Sequence, residues 1–326
     1  MPAGTTYRAL AAAQFTSSID DYALAEYARA PRLATATEVE IRVHAAAVNI
    51  IDVYRAMGAL TAAFPVTPPV RFGYDVAGVV ARAGEQAAFR AGDRVYGCVG
   101  HADIGTVGEY VVTDCSNLAR IPDAVAFVAA AGVPLAGLTA KQALDAGGAR
   151  EGQTVHVTGG LGGVGMFASF LARRHYGARE VTATVSAAKV RQAEALGAAT
   201  RVVDYRDAAA VASLEGSADL VLDAVGDQAL SCAIVKRDGS GTVSSVVRWA
   251  PEDVARLEAA GVRYVHTFAV QSGSQLEDTF SPLLADGALQ PVVEVFPFSD
   301  DGARAAYAKC LAGHATGKIV IRVRDD

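Results

Sequence analysis

Five glycines fall within seven positions in Thr158-Gly-Gly-Leu-Gly-Gly-Val-Gly165, and Gly160, Gly162 and Gly165 make the spacing G-x-G-x-x-G. That spacing alone says little. It gains meaning because Thr154 to Thr158 reads as a strand before it and Gly163 to Tyr176 as a helix after it. A glycine turn lets backbone approach a pyrophosphate closely and aims the free N–H groups of a helix start at the anion. The chemistry suggested is dinucleotide binding, through Gly160, Leu161, Gly162, Gly163, Val164 and Gly165; the plainer alternative is a tight strand-to-helix turn.

The end of the next strand carries the cofactor choice. An Asp or Glu there would bond the ribose 2′-hydroxyl of NAD, whereas a cation there favours the 2′-phosphate of NADP. The strand Glu180-Val-Thr-Ala-Thr-Val-Ser186 ends on hydroxyls, and Lys189 follows in the next helix. A hydroxyl and an ammonium suit a phosphate of about two negative charges. Ser186 and Lys189 therefore point to NADPH rather than NADH, although Lys189 and Arg191 also fit as solvated helix charges.

The elements that must hold these residues divide the chain. Up to Pro122 the sequence is β-rich: Glu38 to Ala47 alternates apolar and polar residues, and Val76 to Val80 and Arg94 to Tyr96 are short apolar runs between glycines. This pattern suggests a partly closed barrel or curled sheet over 1–122. From about Gly152 strand and helix alternate through Val270, the mark of an α/β fold with a doubly wound parallel sheet over 123–270. A last stretch, 271–326, with two helices and strands at Pro291 to Phe296 and Lys318 to Val323, is expected to return to the first domain. Of 326 residues, 52% are hydrophobic and 20% charged, ample for a core. The net charge of −6 comes without a basic stripe, so no nucleic-acid partner is expected. Neither a membrane-spanning run nor a secretory signal stands out, and Cys98, Cys115, Cys232 and Cys310 are scattered, which together suggest a cytoplasmic protein with reduced thiols.

With these motifs in order, the chain resembles the medium-chain dehydrogenase/reductase superfamily, in its zinc-free quinone oxidoreductase (zeta-crystallin-like) branch. The resemblance spans essentially the whole sequence. It is carried by Asn49-Ile-Ile-Asp-Val-Tyr-Arg-Ala-Met-Gly58, similar to the branch's N-x-x-D-x-Y-x-R-x-G with the arginine displaced. Gly73-Tyr-Asp-Val-Ala-Gly78, Ala91-Gly-Asp-Arg-Val-Tyr-Gly97, Gly108-Glu-Tyr-Val-Val112, Gly132 to Leu144, the glycine turn and Gly317-Lys-Ile-Val320 continue the series. It implies a GroES-like catalytic domain, a Rossmann NADP-binding domain, a cleft between them and a homodimer joined through the nucleotide domain's sheet. It also implies that Asn49 and Tyr54 bond the substrate or the nicotinamide ribose, unless they are structural residues after the Glu38–Ala47 strand. Thr139 matches a position that contacts nicotinamide, and Tyr205 one beside the 2′-phosphate. Val246, Phe268 and Val270 complete the implied cofactor set, with core strand residues as the alternative for the last two. Arg248 and Trp249 read as a surface cap or as a pocket wall.

Zinc-dependent relatives carry a cysteine near Asn49, a histidine at Tyr74 and a later cysteine, none of which is present, so no metal is expected. Without a Lewis acid the implied reaction is hydride delivery from NADPH to an electron-poor acceptor: a quinone, an enone or an enoyl thioester. Mitochondrial-type enoyl-thioester reductases carry a proton-donating tyrosine where this chain has Leu60, which leaves quinone reduction untouched. A dedicated reductase of a biosynthetic intermediate is the alternative. A structural, RNA-binding role, as in lens relatives, fits poorly with an acidic chain that keeps the full glycine turn.

Overall fold

A computed structural model of the chain describes residues 6–28, 33–101 and 105–325. Sixteen strands are formed among them: β1 (Thr6–Ala12), β2 (Tyr22–Ala28), β3 (Glu38–Val48), β4 (Val70–Arg71), β5 (Asp75–Ala83), β6 (Arg94–Cys98), β7 (Tyr110–Asp114), β8 (Leu118–Arg120), β9 (Thr154–Thr158), β10 (Glu180–Val185), β11 (Arg201–Asp204), β12 (Leu220–Asp223), β13 (Thr242–Ser245), β14 (Arg263–His266), β15 (Val293–Pro297) and β16 (Lys318–Arg322). The chain divides into two compact units, one of Met1–Leu135 with Gln271–Asp326 and one of Ala136–Val270.

In the first unit β3 is the organiser. One of its edges pairs with β5 along most of its length; the other is shared by β7 at Glu38–Arg42 and β16 at Ala45–Val48. The sheet runs β15-β16-β3-β5-β6-β8, and β2-β1-β4 form a separate small sheet. Splitting one edge between two partners curls the sheet, helped by irregular register at Glu40/Ile41 and Val43/Ala45. Gly78 sits opposite the second irregularity, where a Cβ would strike the Arg42 carbonyl. The core gathers Tyr22, Phe72 and Tyr307, with ring centroids 4.3–5.5 Å apart, under the helix Asp300–Leu311. The 271–326 stretch thus belongs to this unit. So do 123–135, because the helix Phe127–Ala131 packs on β3 and β5 and the Leu135 N–H donates to Asp75. The compositional change after Pro122 accordingly precedes the division between the units.

The second unit is a six-stranded parallel sheet in the order β11-β10-β9-β12-β13-β14. Strand order reverses between β9 and β12, and in such sheets ligands bind outside the carboxyl ends at that switch point. β14 stops at His266, short of the Val262–Val270 strand the apolar run suggests. Its one neighbour, β13, offers ladder partners only from Thr242 to Ser245. Phe268 and Val270 therefore lie in the loop beyond the sheet and are half-exposed or more.

Candidate functional site

The carboxyl edge of the parallel sheet collects most of the cofactor residues expected from the sequence. β9 leads into the glycine turn, and the helix Gly163–Arg174 begins after Gly162, with no side chain capping its first turn. The turn's glycines are sterically required. A Cβ on Gly160 would stand 2.5 Å from that of Ala183, and one on Gly165 would strike the Gly159 carbonyl. A turn held this close, opening on uncapped helix N–H groups, fits a dinucleotide's pyrophosphate. Gly163 and Val164 form the first helical residues, while Leu161 turns its side chain into a small core with Val185 and Ala193. Leu161 can offer a ligand its backbone only.

Next to the turn, Ser186 caps the short 3₁₀ turn Ala187–Lys189 that follows β10. The Tyr205 N–H donates to the Val185 carbonyl at 3.0 Å, which brings the residue after β11 beside Ser186. Arg206 lies 5.2 Å over the Tyr205 ring, a second cation that sequence reading did not single out. Farther along, Gln142 clamps Val270, donating to its carbonyl at 2.8 Å and accepting from its N–H at 2.9 Å. Gln142 is on the helix Pro134–Gly147 that also carries the buried Thr139. The Val246 N–H is tied to the Asp223 carbonyl at the end of β12.

Asp223 knots these strand ends together. Its buried carboxylate accepts from Thr158 Oγ1, Ser245 Oγ, Trp249 Nε1 and the Gly226 N–H, each at 2.9 Å. Trp249 is therefore neither a surface cap nor a pocket wall: it is buried, its ring tilted against that of Tyr264 with centroids 5.1 Å apart, and bonded to Asp223, whereas Arg248 is exposed. Nothing in the local sequence marks Asp223, since its partners lie up to 65 residues away.

The first unit holds a second polar cluster. Asn49 follows β3 at the start of the helix Ile50–Ala56, and both ends of its side chain are engaged: Nδ2 donates to Asp75 at 2.9 Å, and Oδ1 accepts from Lys318 Nζ at 2.5 Å. Lys318 also pairs with Asp75 at 3.6 Å. Asp52 accepts from the Asn49 N–H and from Tyr307, and burial pushes its carboxyl up to about 7. Tyr54 lies on the opposite, exposed face of the helix Ile50–Ala56 with Ile50, and Met57 follows just beyond the helix. Beside this network the Tyr74 hydroxyl meets His101 Nδ1 at 2.9 Å, and Phe64 stacks on His101 at 3.5 Å. Burial, reinforced by the Arg55 charge, lowers the His101 imidazole to about 4. Burial also raises the Tyr74 hydroxyl, against the pull of Arg55. Among the described residues no group of three or more His, Cys, Asp or Glu is placed to hold a metal ion, and no helix is long and apolar enough to cross a membrane.

Comparison with known proteins matches this architecture. Residues 35–123 match the model of an alcohol dehydrogenase GroES-like domain, and residues 196–321 that of a zinc-binding dehydrogenase. The chain is 34% identical over 292 residues to the 2-methylene-furan-3-one reductase of Solanum lycopersicum, covering 87% of this chain and 71% of the relative. It is 33% identical to the chloroplastic NADPH-dependent alkenal/one oxidoreductase of Arabidopsis thaliana, covering 87% and 72%. The solved quinone oxidoreductase of Coxiella burnetii superposes with a TM-score of 0.85 at 26% identity, over 98% of this chain and all of that one.

Proposed function

The chain belongs to the medium-chain dehydrogenase/reductase superfamily, in its quinone oxidoreductase-like branch, and from that premise we propose that it is an NADPH-dependent reductase of quinones or other electron-poor conjugated carbonyls. The observation that carries the reading is the carboxyl edge of the parallel sheet, where a glycine turn and an uncapped helix start lie beside Ser186, Lys189, Tyr205 and Arg206. Those four residues suit a 2′-phosphate, by hydroxyl, ammonium, ring and guanidinium. Thr139, Val246, Phe268 and Val270 would border the nicotinamide.

A bound NADPH supplies a hydride. The chain's own task is to hold the acceptor in line and to stabilise the negative charge that reaches its oxygen. Tyr54, on an exposed helix face, is available to touch the acceptor, and Asn49 acts as a positioning residue through Lys318 and Asp75. Zinc independence rests on the donor set: an engaged amide and a neutral phenol stand where zinc-dependent relatives carry ligands. A cytoplasmic homodimer completes the proposal on resemblance alone.

A dedicated enone reductase is the second reading, favoured by the names of the tomato and Arabidopsis relatives. NADPH oxidation by the purified, EDTA-treated protein, followed with benzoquinone, phenanthrenequinone, a panel of enones and crotonyl-CoA, separates the two. Fast turnover of quinones supports the general reductase; silence there with turnover of one enone supports the dedicated one. Turnover with zinc alcohol-type substrates only would sink both.

A further inference from the structure

Arg55 is buried, at 7% exposure, in the helix Ile50–Ala56. Among the described residues its Nε and Nη1 find no hydrogen-bond acceptor, and no carboxylate lies within ion-pair distance. A guanidinium without a counter-charge in a protein interior costs several kcal/mol. Nearby carboxylates do not pair with it: Asp75 is taken by Lys318 and Asn49, and Asp52 accepts from the Asn49 N–H and Tyr307 through Oδ2, its Oδ1 being buried without a partner. The groups it does influence are Tyr74 and His101, themselves joined at 2.9 Å. The arginine is also the displaced member of the Asn49–Gly58 motif, and a shift of one residue turns a side chain by about 100° around a helix.

We propose that Arg55, with Tyr74 and His101, forms the oxyanion-receiving end of the acceptor site, the guanidinium taking up the negative charge that develops on the acceptor's carbonyl oxygen. This rests on the reductase reading above. A neutral quinone or enone brings no charge to Arg55 on binding. On accepting a hydride it gains two electrons, the oxygen becomes an enolate or quinol anion, and a proton from solvent finally neutralises it. An unpaired cation therefore favours the transition state over the ground state, the condition for catalysis rather than tight binding. His101 stays neutral at physiological pH. Phe64, stacked within 9° of parallel, fixes the ring plane.

The test pairs kinetics with a binding signature that needs no turnover. The dye 4-nitrophenol, whose anion carries a delocalised oxyanion, is added to the protein with NADP⁺ at a pH where the free dye is mostly neutral. Wild type should shift the bound dye to its phenolate spectrum. Arg55→Gln should abolish that shift and lower kcat for the acceptor by about 10²–10³-fold, the cost of a lost oxyanion donor. The KM for NADPH should hold. Arg55→Lys should recover part of both effects. An Arg55→Gln protein that shifts the dye and turns over like wild type overturns the proposal. If that variant does not fold by circular dichroism, Arg55→Lys and His101→Gln decide: a dye shift and kcat unchanged in both overturn it, and graded losses support it. Should wild type shift the dye yet reduce no acceptor, the oxyanion site stands and the reductase reading fails. Turnover without any dye shift has the opposite meaning.

Discussion

Lys189 and Asp52 show how differently two charged side chains serve the molecule. Lys189 stands at the end of β10 beside Ser186, with Tyr205 and Arg206 on the neighbouring strand end. If this is the 2′-phosphate pocket, Lys189→Ala should weaken NADPH binding by about 1–3 kcal/mol, a lost charge-assisted bond, and leave NADH unchanged. Titration calorimetry with both cofactors checks this; equal weakening would move the pocket elsewhere. Asp52 is a structural carboxyl whose value rises from 3.8 to about 7 by burial. The folded state thus holds its proton more tightly than the unfolded chain does. Its contribution to stability is complete below the unfolded value and is lost as pH rises towards about 7. Asp52→Asn keeps an acceptor for the Asn49 N–H and Tyr307 without ionising. Relative to wild type it should gain about 2 kcal/mol between about pH 5 and pH 8, read from thermal unfolding at both. A constant difference across that range would show that Asp52 does not titrate with folding.

Elements, not single groups, set the geometry at the carboxyl edge of the sheet. β9, β12 and β13 are tied by one carboxylate, Asp223, whose four short bonds come from Thr158, Ser245, Trp249 and Gly226. An amide at that position keeps one acceptor oxygen and turns its NH₂ towards donors. Asp223→Asn should therefore cost about 2–4 kcal/mol and loosen the turn, weakening cofactor binding. Trp249 is the only tryptophan, so its emission reports the event directly. Emission and melting temperature both unchanged would show that the knot is dispensable. Most strands around it were legible from the apolar alternation, because each βαβ step is local and the hydrophobic runs coincide with ladder segments. Thr154 to Thr158 matches to the residue, and the strand read as Glu180 to Ser186 ends one residue earlier, at Val185. The Val262–Val270 run was misleading for a physical reason: hydrophobicity continues past the point where β13 has ladder partners to offer. Asp223 and Arg206 were invisible for another reason, since their importance lies in contacts that no local pattern records.

At the scale of the whole molecule, the two units differ in how the chain supplies them. The parallel sheet is built from one continuous stretch, 136–270, which is why its glycine turn and cofactor residues could be read in order along the sequence. The other unit takes its two parts from opposite ends of the chain. β16 pairs with β3 across some 270 residues, Tyr307 closes the aromatic core with Tyr22 and Phe72, and Lys318 reaches Asn49. Tyr74 and His101 lie well apart in sequence from the Asn49–Gly58 segment that holds Asn49 and Arg55, and the meaning of Asn49 depends on a lysine that arrives last. A chain stopped after Gln290 would lack β15, β16 and the helix Asp300–Leu311. It would expose the β3 edge at Ala45–Val48 and leave Asp75 buried without Lys318. Losing a partner of a buried charge costs about 3–5 kcal/mol and each lost large core side chain a similar amount, which together exceed the 5–15 kcal/mol typical of a domain. Limited proteolysis followed by mass spectrometry should find the truncated first unit digested while a fragment near 136–270 survives. Survival of residues 33–101 in the truncated chain would mean that β3 is stable without β16, and that the first unit does not need its C-terminal half to fold.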